Sequence, residues 1–421
     1  MPPPPSLREL TAVFARIGVL SFGGPAAQIA LMHRELVDKK GWLDEQRFLN
    51  ALSFCMLLPG PEAMQLATYS GWRIHGVIGG LIAGLLFVLP GAAVIAVLAT
   101  VYGFFGSVPL VAAVFLGVKA TVVIIVLQAL LRVAQRALLR PVDWAIAGVA
   151  FVAIFLIGVP FPLIILGAAI WGSMLPQTQT VPPDTLPRRT ANTLSTLAVW
   201  IAIWAFPLGI LYVLNADLLL EIGLFFSKLA LVSFGGAYAV LAYMTQEVVA
   251  DYGWISTQEM LDGLGLAETT PGPLILVTQF VGFLAGFREG GLGLGLLAAL
   301  ITLWVTFAPC FLWIFAGAPY IEALTAQPRL KGALSAITAA VVGVMLNLSI
   351  WFAVHVFFKD VGQIAIGPIN TVAPVLQSFD VIAAGLALFA AALLLRLRLD
   401  LLYVLGAAAF AGLILGITGL V

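Results

Sequence analysis

Two short patterns in this chain break helices, and the first also carries a hydroxyl donor, features that suit anion binding. They are Ser21-Phe22-Gly23-Gly24, followed by Pro25, and Pro59-Gly60-Pro61, followed by Glu62. Gly-Gly and Pro-Gly-Pro interrupt a helix because proline lacks an amide donor and clashes with the preceding turn, while glycine reaches conformations other residues avoid. A helix restarting after such a break presents unpaired N–H groups and the positive end of its dipole, which favour a small anion. Both patterns recur at an offset of 212, as Ser233-Phe234-Gly235-Gly236 and Pro271-Gly272-Pro273. Ser21, Ser233, Thr269 and Thr270 add hydroxyls, and Gln65 would orient a ligand or join helices. Gly and Pro also serve as packing notches and kinks in membrane helices, but four breaks in two matched pairs favour a transport site.

Three cations, Arg16, Lys119 and Lys228, fall inside apolar stretches. A cation within lipid costs about 3 kcal/mol on insertion scales and is a functional candidate by default. Arg16 and Lys228 share one repeat position, five residues before the Ser-Phe-Gly-Gly turn, where the pair would neutralise a divalent oxyanion. The competing role is snorkelling to a helix end, or pairing with Glu9 and Glu221, each seven residues earlier. Two acids, Glu62 and Glu268, flank the breaks without being repeat mates. Burial favours the protonated carboxyl, which would suit proton coupling, and capping a broken helix end is the alternative, favoured for Glu62. His33, His75 and His355 lie at the ends of apolar blocks and read as interfacial, as do Trp42 and Trp254. The substrate-binding set is therefore Arg16, Ser21, Phe22, Gly23, Gly24, Pro59, Gly60, Pro61, Gln65, Lys119, Lys228, Ser233, Gly235, Gly236, Thr269, Thr270, Pro271 and Gly272, with Glu62 and Glu268 in coupling or capping roles.

These residues need a membrane scaffold to position them. Of 421 residues, 62% are hydrophobic and 10% charged, against about 45–50% apolar and 25% charged in soluble domains. The apolar runs do not alternate with polar residues as β-barrel strands do, so the expected class is an all-α polytopic membrane protein. Its 20 basic and 20 acidic residues cancel, leaving no basic field to hold nucleic acid. Cys55 and Cys310 both sit in apolar blocks, and no Cys/His spacing suggests a metal site or any cofactor. No cationic leader with a cleavage site precedes the first apolar run, so the N-terminus is expected to be retained.

About 13 apolar blocks divide into two related halves. Besides the four signature motifs, Gly41-Trp42 recurs as Gly253-Trp254, again at an offset of 212. After Arg288-Glu289-Gly290-Gly291 the offset becomes 219, pairing Pro90 with Pro309, which reads as one seven-residue insertion. The division is a first repeat at 1–175, a proline-rich linker plus connecting helix at 176–216, and a second repeat at 217–421. Six blocks and one connecting span invert the second repeat relative to the first. If the first two blocks of each half are re-entrant hairpins, fifteen cations lie on the cytoplasmic side and only Arg288 and Lys359 outside. If every block spans, the split is eleven against six. The positive-inside rule favours the four hairpins and a cytoplasmic N-terminus.

At these motifs the sequence resembles the chromate ion transporter family in its long-chain, two-domain form. The resemblance lies in Phe14 to Trp42, Leu58-Pro59-Gly60-Pro61-Glu62-Ala63-Met64-Gln65-Leu66-Ala67, Ser233 to Trp254 and Thr270-Pro271-Gly272-Pro273. It implies export of chromate across the bacterial inner membrane, resistance to chromate, an inverted pair of domains and handling of sulfate-like anions. The family's motif positions fall on Arg16, Ser21, Gly23, Gly24, Pro59, Gly60, Pro61, Glu62 and Gln65. The second Pro-Gly-Pro is followed by Leu274 rather than Glu, which implies that the halves have divided their roles.

The leading expectation is a secondary transporter moving a tetrahedral dianion by alternating access, since no phosphate-binding loop of the Gly-x4-Gly-Lys-Ser/Thr type is present to use a nucleotide. The partners expected are chromate or a related divalent oxyanion and the lipid bilayer, with proton coupling and a homo-oligomer left open. A passive oxyanion channel, or a sulfate transporter of the same fold, is the alternative. A membrane-embedded enzyme would need a clustered base and nucleophile, which three scattered histidines do not supply.

Overall fold

The structure, a computed structural model, describes residues 5–175, 193–234, 237–321, 327–366 and 369–420. The helices are α1 (Leu7–Leu20), α2 (Gly24–His33), α3 (Glu45–Cys55), α4 (Glu62–Phe105), α5 (Pro109–Ala137), α6 (Pro141–Phe155), α7 (Phe161–Met174), α8 (Thr193–Val213), α9 (Asp217–Val232), α10 (Ala237–Gln246), α11 (Thr257–Thr269), α12 (Val277–Gly317) and α13 (Pro328–Phe357). A two-stranded antiparallel ribbon, β1 (Val361–Ile366) and β2 (Ile369–Pro374), precedes α14 (Val381–Ala391) and α15 (Leu401–Ile417). The ribbon is the departure from an all-helical reading. Its Val, Ile and Thr residues favour an extended chain, and it occupies a link between apolar blocks.

Five helical stretches among the described residues are long and apolar enough to cross a membrane: Glu62–Phe105, Pro109–Ala137, Thr193–Val213, Leu274–Tyr320 and Pro328–Phe357. Three of the expected breaks separate described helices. α1 stops at Leu20 and α2 begins at Gly24, α3 stops at Cys55 and α4 begins at Glu62, and α11 stops at Thr269 before α12. At the fourth, α9 stops at Val232, while Gly235 and Gly236 lie outside the described residues.

α4 has 44 residues, about 66 Å if straight, too long for a hydrocarbon layer of about 30 Å. It folds back instead at His75 (φ −133°, ψ 28°) and Gly76 (φ 60°, ψ −152°). The two arms touch through Gly71 and Gly79, where a Cβ on either would collide with the other's carbonyl. α12 turns the same way at Gly290 (φ −147°, ψ 22°) and Gly291 (φ 68°, ψ −160°), with Gly282 and Gly286 against the returning arm. Gly76 and Gly291 stand at an offset of 215, between the 212 of the Pro-Gly-Pro motifs and the 219 of Pro90 and Pro309. The seven-residue insertion is thus not a single block. Three residues enter the arm before the turn and four the arm after it, about one helical turn each, so the arms lengthen together and stay paired.

The described chain forms two compact units, and each draws on both halves of the sequence. One comprises Met1–Ala99, Ser173–Val240 and Thr270–Gly332, the other Thr100–Gly172, Leu241–Thr269 and Ala333–Val421. In the second unit, α5 and α15 approach closely because Gly117 faces the Ala408 carbonyl and Gly412 the Ala113 carbonyl. Small residues four apart on both helices allow this contact, a membrane-helix packing device.

Candidate functional site

Ser21 and Ser233 close their helices alike. Their backbones match, at φ −79°, ψ 63° and φ −80°, ψ 66°. The Ser21 hydroxyl donates to the Ile17 carbonyl at 2.6 Å and the Ser233 hydroxyl to the Ala230 carbonyl at 2.9 Å. Their side-chain protons are therefore spent on the preceding turn, and the groups left facing the break are their carbonyls. Gly23 and Gly24 follow Ser21 with φ 83° and 77°, and Pro25 enters the first turn of α2, where its missing N–H costs nothing.

The Pro-Gly-Pro turns complete this geometry. Gly60 (φ 113°) donates its N–H to the Ser233 carbonyl at 2.9 Å, and Gly272 (φ 91°) donates to the Ser21 carbonyl, also at 2.9 Å. Each motif of one half is bonded to the other motif of the opposite half. Side chains strengthen one of the two crossings. Gln28, 1% exposed, donates through Nε2 to the Gly272 carbonyl at 2.7 Å and the Ser21 carbonyl at 3.2 Å. The fully buried Gln65 donates to the Pro59 carbonyl at 2.7 Å. A Cβ on Gly60 would lie 2.9 Å from both Cys310 Sγ and Gln65 Nε2, so a larger residue would displace one of these side chains and strain the left-handed backbone.

Beside the Gly60–Ser233 bond is a cavity of about 10 Å³ for water centres, room for about one water molecule. Gly60, Pro61, Ala230, Ser233, Ile275 and Thr306 line it. The Thr306 hydroxyl is buried and has no hydrogen-bond partner among the described residues. An isolated buried hydroxyl costs about 1–3 kcal/mol unless something satisfies it.

The other expected residues divide between sites. Phe22 is half-buried, Pro59, Thr270 and Pro271 are buried, and the Thr269 hydroxyl donates to the Leu266 carbonyl at 2.8 Å. Glu62 is the first residue of α4. Glu268 is buried in α11. Arg16 and Lys228 are exposed on α1 and α9 and do not line the cavity. Glu9, a partner considered for Arg16, instead meets Lys40 at 2.8 Å, and the nearby acid that feels the Arg16 charge is Glu35. Lys119 belongs to the second unit, where it meets Asp262 at 3.4 Å.

Sequence reasoning missed Gln28, Thr306, Tyr102, Gln258 and Asp262. Asp262 had a usable signal: an acid inside an apolar block bears the same cost as the cations that were singled out. Gln28 and Thr306 had none, because their importance lies in contacts made 244 residues away and around a cavity.

Known proteins resemble the chain along most of its length. The chromate transporter family profile matches residues 8–173 and 220–413. The chain is 32% identical to the chromate transport protein of Pseudomonas aeruginosa over 424 residues, covering 98% of this chain and 93% of that protein. It is 29% identical to the chromate transport protein of Cupriavidus metallidurans over 351 residues, 83% of each chain. An uncharacterized transporter of Bacillus subtilis, YwrB, is 37% identical over 123 residues, 27% of this chain and 62% of that one. No solved structure matches. With its apolar helices and these relatives the chain is a multi-pass membrane protein, and it belongs to the chromate transporter family.

Proposed function

We propose that this protein is a secondary transporter that exports chromate from the bacterial cytoplasm across the inner membrane by alternating access, conferring chromate resistance. Sulfate-like tetrahedral anions are further ligands. The observation that carries the reading is the reciprocal pair of bonds, Gly60 to Ser233 and Gly272 to Ser21. Those bonds draw the broken helices of both halves together, the arrangement by which secondary transporters offer freed backbone groups to a substrate. The substrate is taken from the relatives named as chromate transport proteins.

The two halves, 1–175 and 217–421, are inverted repeats joined by 176–216, with the broken-helix segments re-entrant and the N-terminus cytoplasmic. The cavity beside Gly60 holds about one water, so the anion enters when the crossed helix ends part. Arg16 and Lys228 supply positive potential to that path, and Glu62 caps the start of α4. An inside-negative membrane potential favours anion exit by about 2.3 kcal/mol per charge per 100 mV, and a proton gradient modulates this through a carboxyl.

Uptake of labelled chromate by everted vesicles tests the reading. Wild-type vesicles accumulate chromate, and Arg16→Ala, Lys228→Ala and Thr306→Val each lower the rate. Vesicles with wild-type protein that take up no more chromate than empty ones would overturn it, and unaltered rates in all three variants would remove the assigned site.

A further inference from the structure

In the second unit, Lys119 is neutralised by a residue from the opposite half of the sequence. Its Nζ lies 3.4 Å from Asp262 Oδ1 and donates to Gln258 Oε1 at 2.7 Å, while the Tyr102 hydroxyl donates to Asp262 Oδ2 at 2.7 Å. The side chains of the pair are 13% and 8% exposed, nearly withdrawn from solvent but still reachable by it. Lys119 comes from α5 and Tyr102 from the end of α4, and Glu259 on α11 adds a like charge to Asp262. α15 also packs against α11, and its one ionisable side chain, Tyr403, is 75% exposed.

A buried ion pair adds little net stability, because desolvating both charges offsets their attraction. The internal repeat bears on whether packing requires this one. By the offsets of 212 and 219, the mates of Asp262 and Lys119 are Asn50 and Thr338, both uncharged. The mate of Gln258 is again glutamine, Gln46, and it donates to Asn50 Oδ1 at 3.0 Å. Asn50 of the first half and Thr338 of the second are therefore both uncharged, whereas Lys119 of the first half and Asp262 of the second are charged together. The repeat itself thus calls for charge at neither position.

We propose that Asp262 is the proton-binding group of the transport cycle and Lys119 the cation it shares with the transported anion. The Asp262 carboxylate takes one proton from water and becomes neutral. The Lys119 ammonium keeps its protons, loses its counter-charge, and accepts an oxyanion in its place. When the anion leaves, the proton returns to water and the ion pair re-forms. The Tyr102 bond holds the carboxyl in place through both steps. This inference rests on reading the chain as an oxyanion transporter.

The test is equilibrium binding of labelled chromate, held above its own second ionisation, to the purified full-length protein in lipid nanodiscs across a pH series. Wild-type affinity falls about tenfold per pH unit where Asp262 is ionised, the slope expected of a single linked proton. Asp262→Asn binds with little pH dependence. The double variant Lys119→Thr/Asp262→Asn copies the uncharged mates and guards against misfolding of the single variant, and it too loses the slope. If both variants keep the wild-type slope, the proton assignment is overturned while the transporter reading stands. If the wild type binds no chromate, the transporter reading fails and the proton assignment falls with it.

Discussion

The Gly60 N–H donates to the Ser233 carbonyl at 2.9 Å, and the repeat mates of these two residues do the same in reverse, the Gly272 N–H donating to the Ser21 carbonyl. Four breaks that weaken helices individually thus repair one another in pairs, each supplying the acceptor or donor the other lacks. This satisfies buried backbone groups where no helix can. It also ties the two halves of the first unit to each other through backbone hydrogen bonds.

The glycines at these crossings should therefore be intolerant in a graded way. A left-handed backbone costs a residue with a Cβ about 1–2 kcal/mol. At Gly60 that cost adds to a clash with Cys310 and Gln65 at 2.9 Å, whereas at Gly272 the nearest atom is the movable Leu276 Cδ1 at 3.0 Å, and at Gly24 nothing lies within 4 Å. Gly60→Ala is expected to lower the melting temperature in detergent most, Gly272→Ala less and Gly24→Ala least, with chromate uptake following the same order. Equal melting temperatures for the three would show that the Gly60 neighbours yield freely.

Gln28 is predicted to be a one-sided brace. Its amide holds Ser21 and Gly272 together, but its repeat mate is Val240, whose side chain has no donor to bridge the Gly60–Ser233 crossing. Gln28→Leu keeps the bulk while removing both donors, and losing a buried hydrogen bond costs about 1–3 kcal/mol. Its melting temperature should drop, whereas Val240→Leu should leave it nearly unchanged. A Gln28→Leu protein as stable as the wild type would mean that the Ser21 and Gly272 carbonyls need no side-chain donor.

How much of this is legible in the residues alone follows from where each signal resides. The breaks are readable because Gly-Gly and Pro-Gly-Pro act on their own backbone, and the repeat is readable because it copies residue types at one spacing. Ser21 and Ser233 stand out for their hydroxyls, yet their carbonyls make the crossing, and a carbonyl has no residue type to betray it. The insertion reads as a single block because glycines at the turn give an alignment nothing to divide. Lys119 stands out as a buried cation, but its partner Asp262 lies 143 positions away and has an uncharged mate, so neither local pattern nor repeat could join them.

The charged segment at the end of α2, which continues as a π-helical turn over Arg34–Lys39, should make stability depend on pH. His33 lies 2.6 Å from Glu45 and 3.5 Å from Asp38. The hydrogen bond to Glu45, opposed by partial burial and aided by the charges of Glu45 and Asp38, raises the His33 pKa above 6.5. A raised value in the folded protein means that the imidazolium form stabilises the fold. That contribution is complete below about pH 6.5 and disappears as pH climbs through the raised value. The partners are partly exposed, so the effect stays below about 1 kcal/mol. Melting curves should show the wild type losing stability across this interval and Glu45→Gln remaining flatter, and parallel pH profiles would refute the pairing.

The same segment discriminates between membrane topologies. If the first two broken segments re-enter, residues 33–47 face the cytoplasm together with the other cationic loops, and if every block spans, they face outside. Asp38 is 58% exposed, so Asp38→Cys offers a thiol to solvent. Cys55 and Cys310 are buried and should react little with a membrane-impermeant maleimide. In intact cells the variant should resist that reagent, and in everted vesicles it should label readily. Labelling in intact cells would place the loop outside, move four cations with it, and leave the hairpin topology without its charge asymmetry. The crossed Gly–Ser bonds would survive that result, because they lie within the first unit and do not depend on which side of the membrane the loop faces.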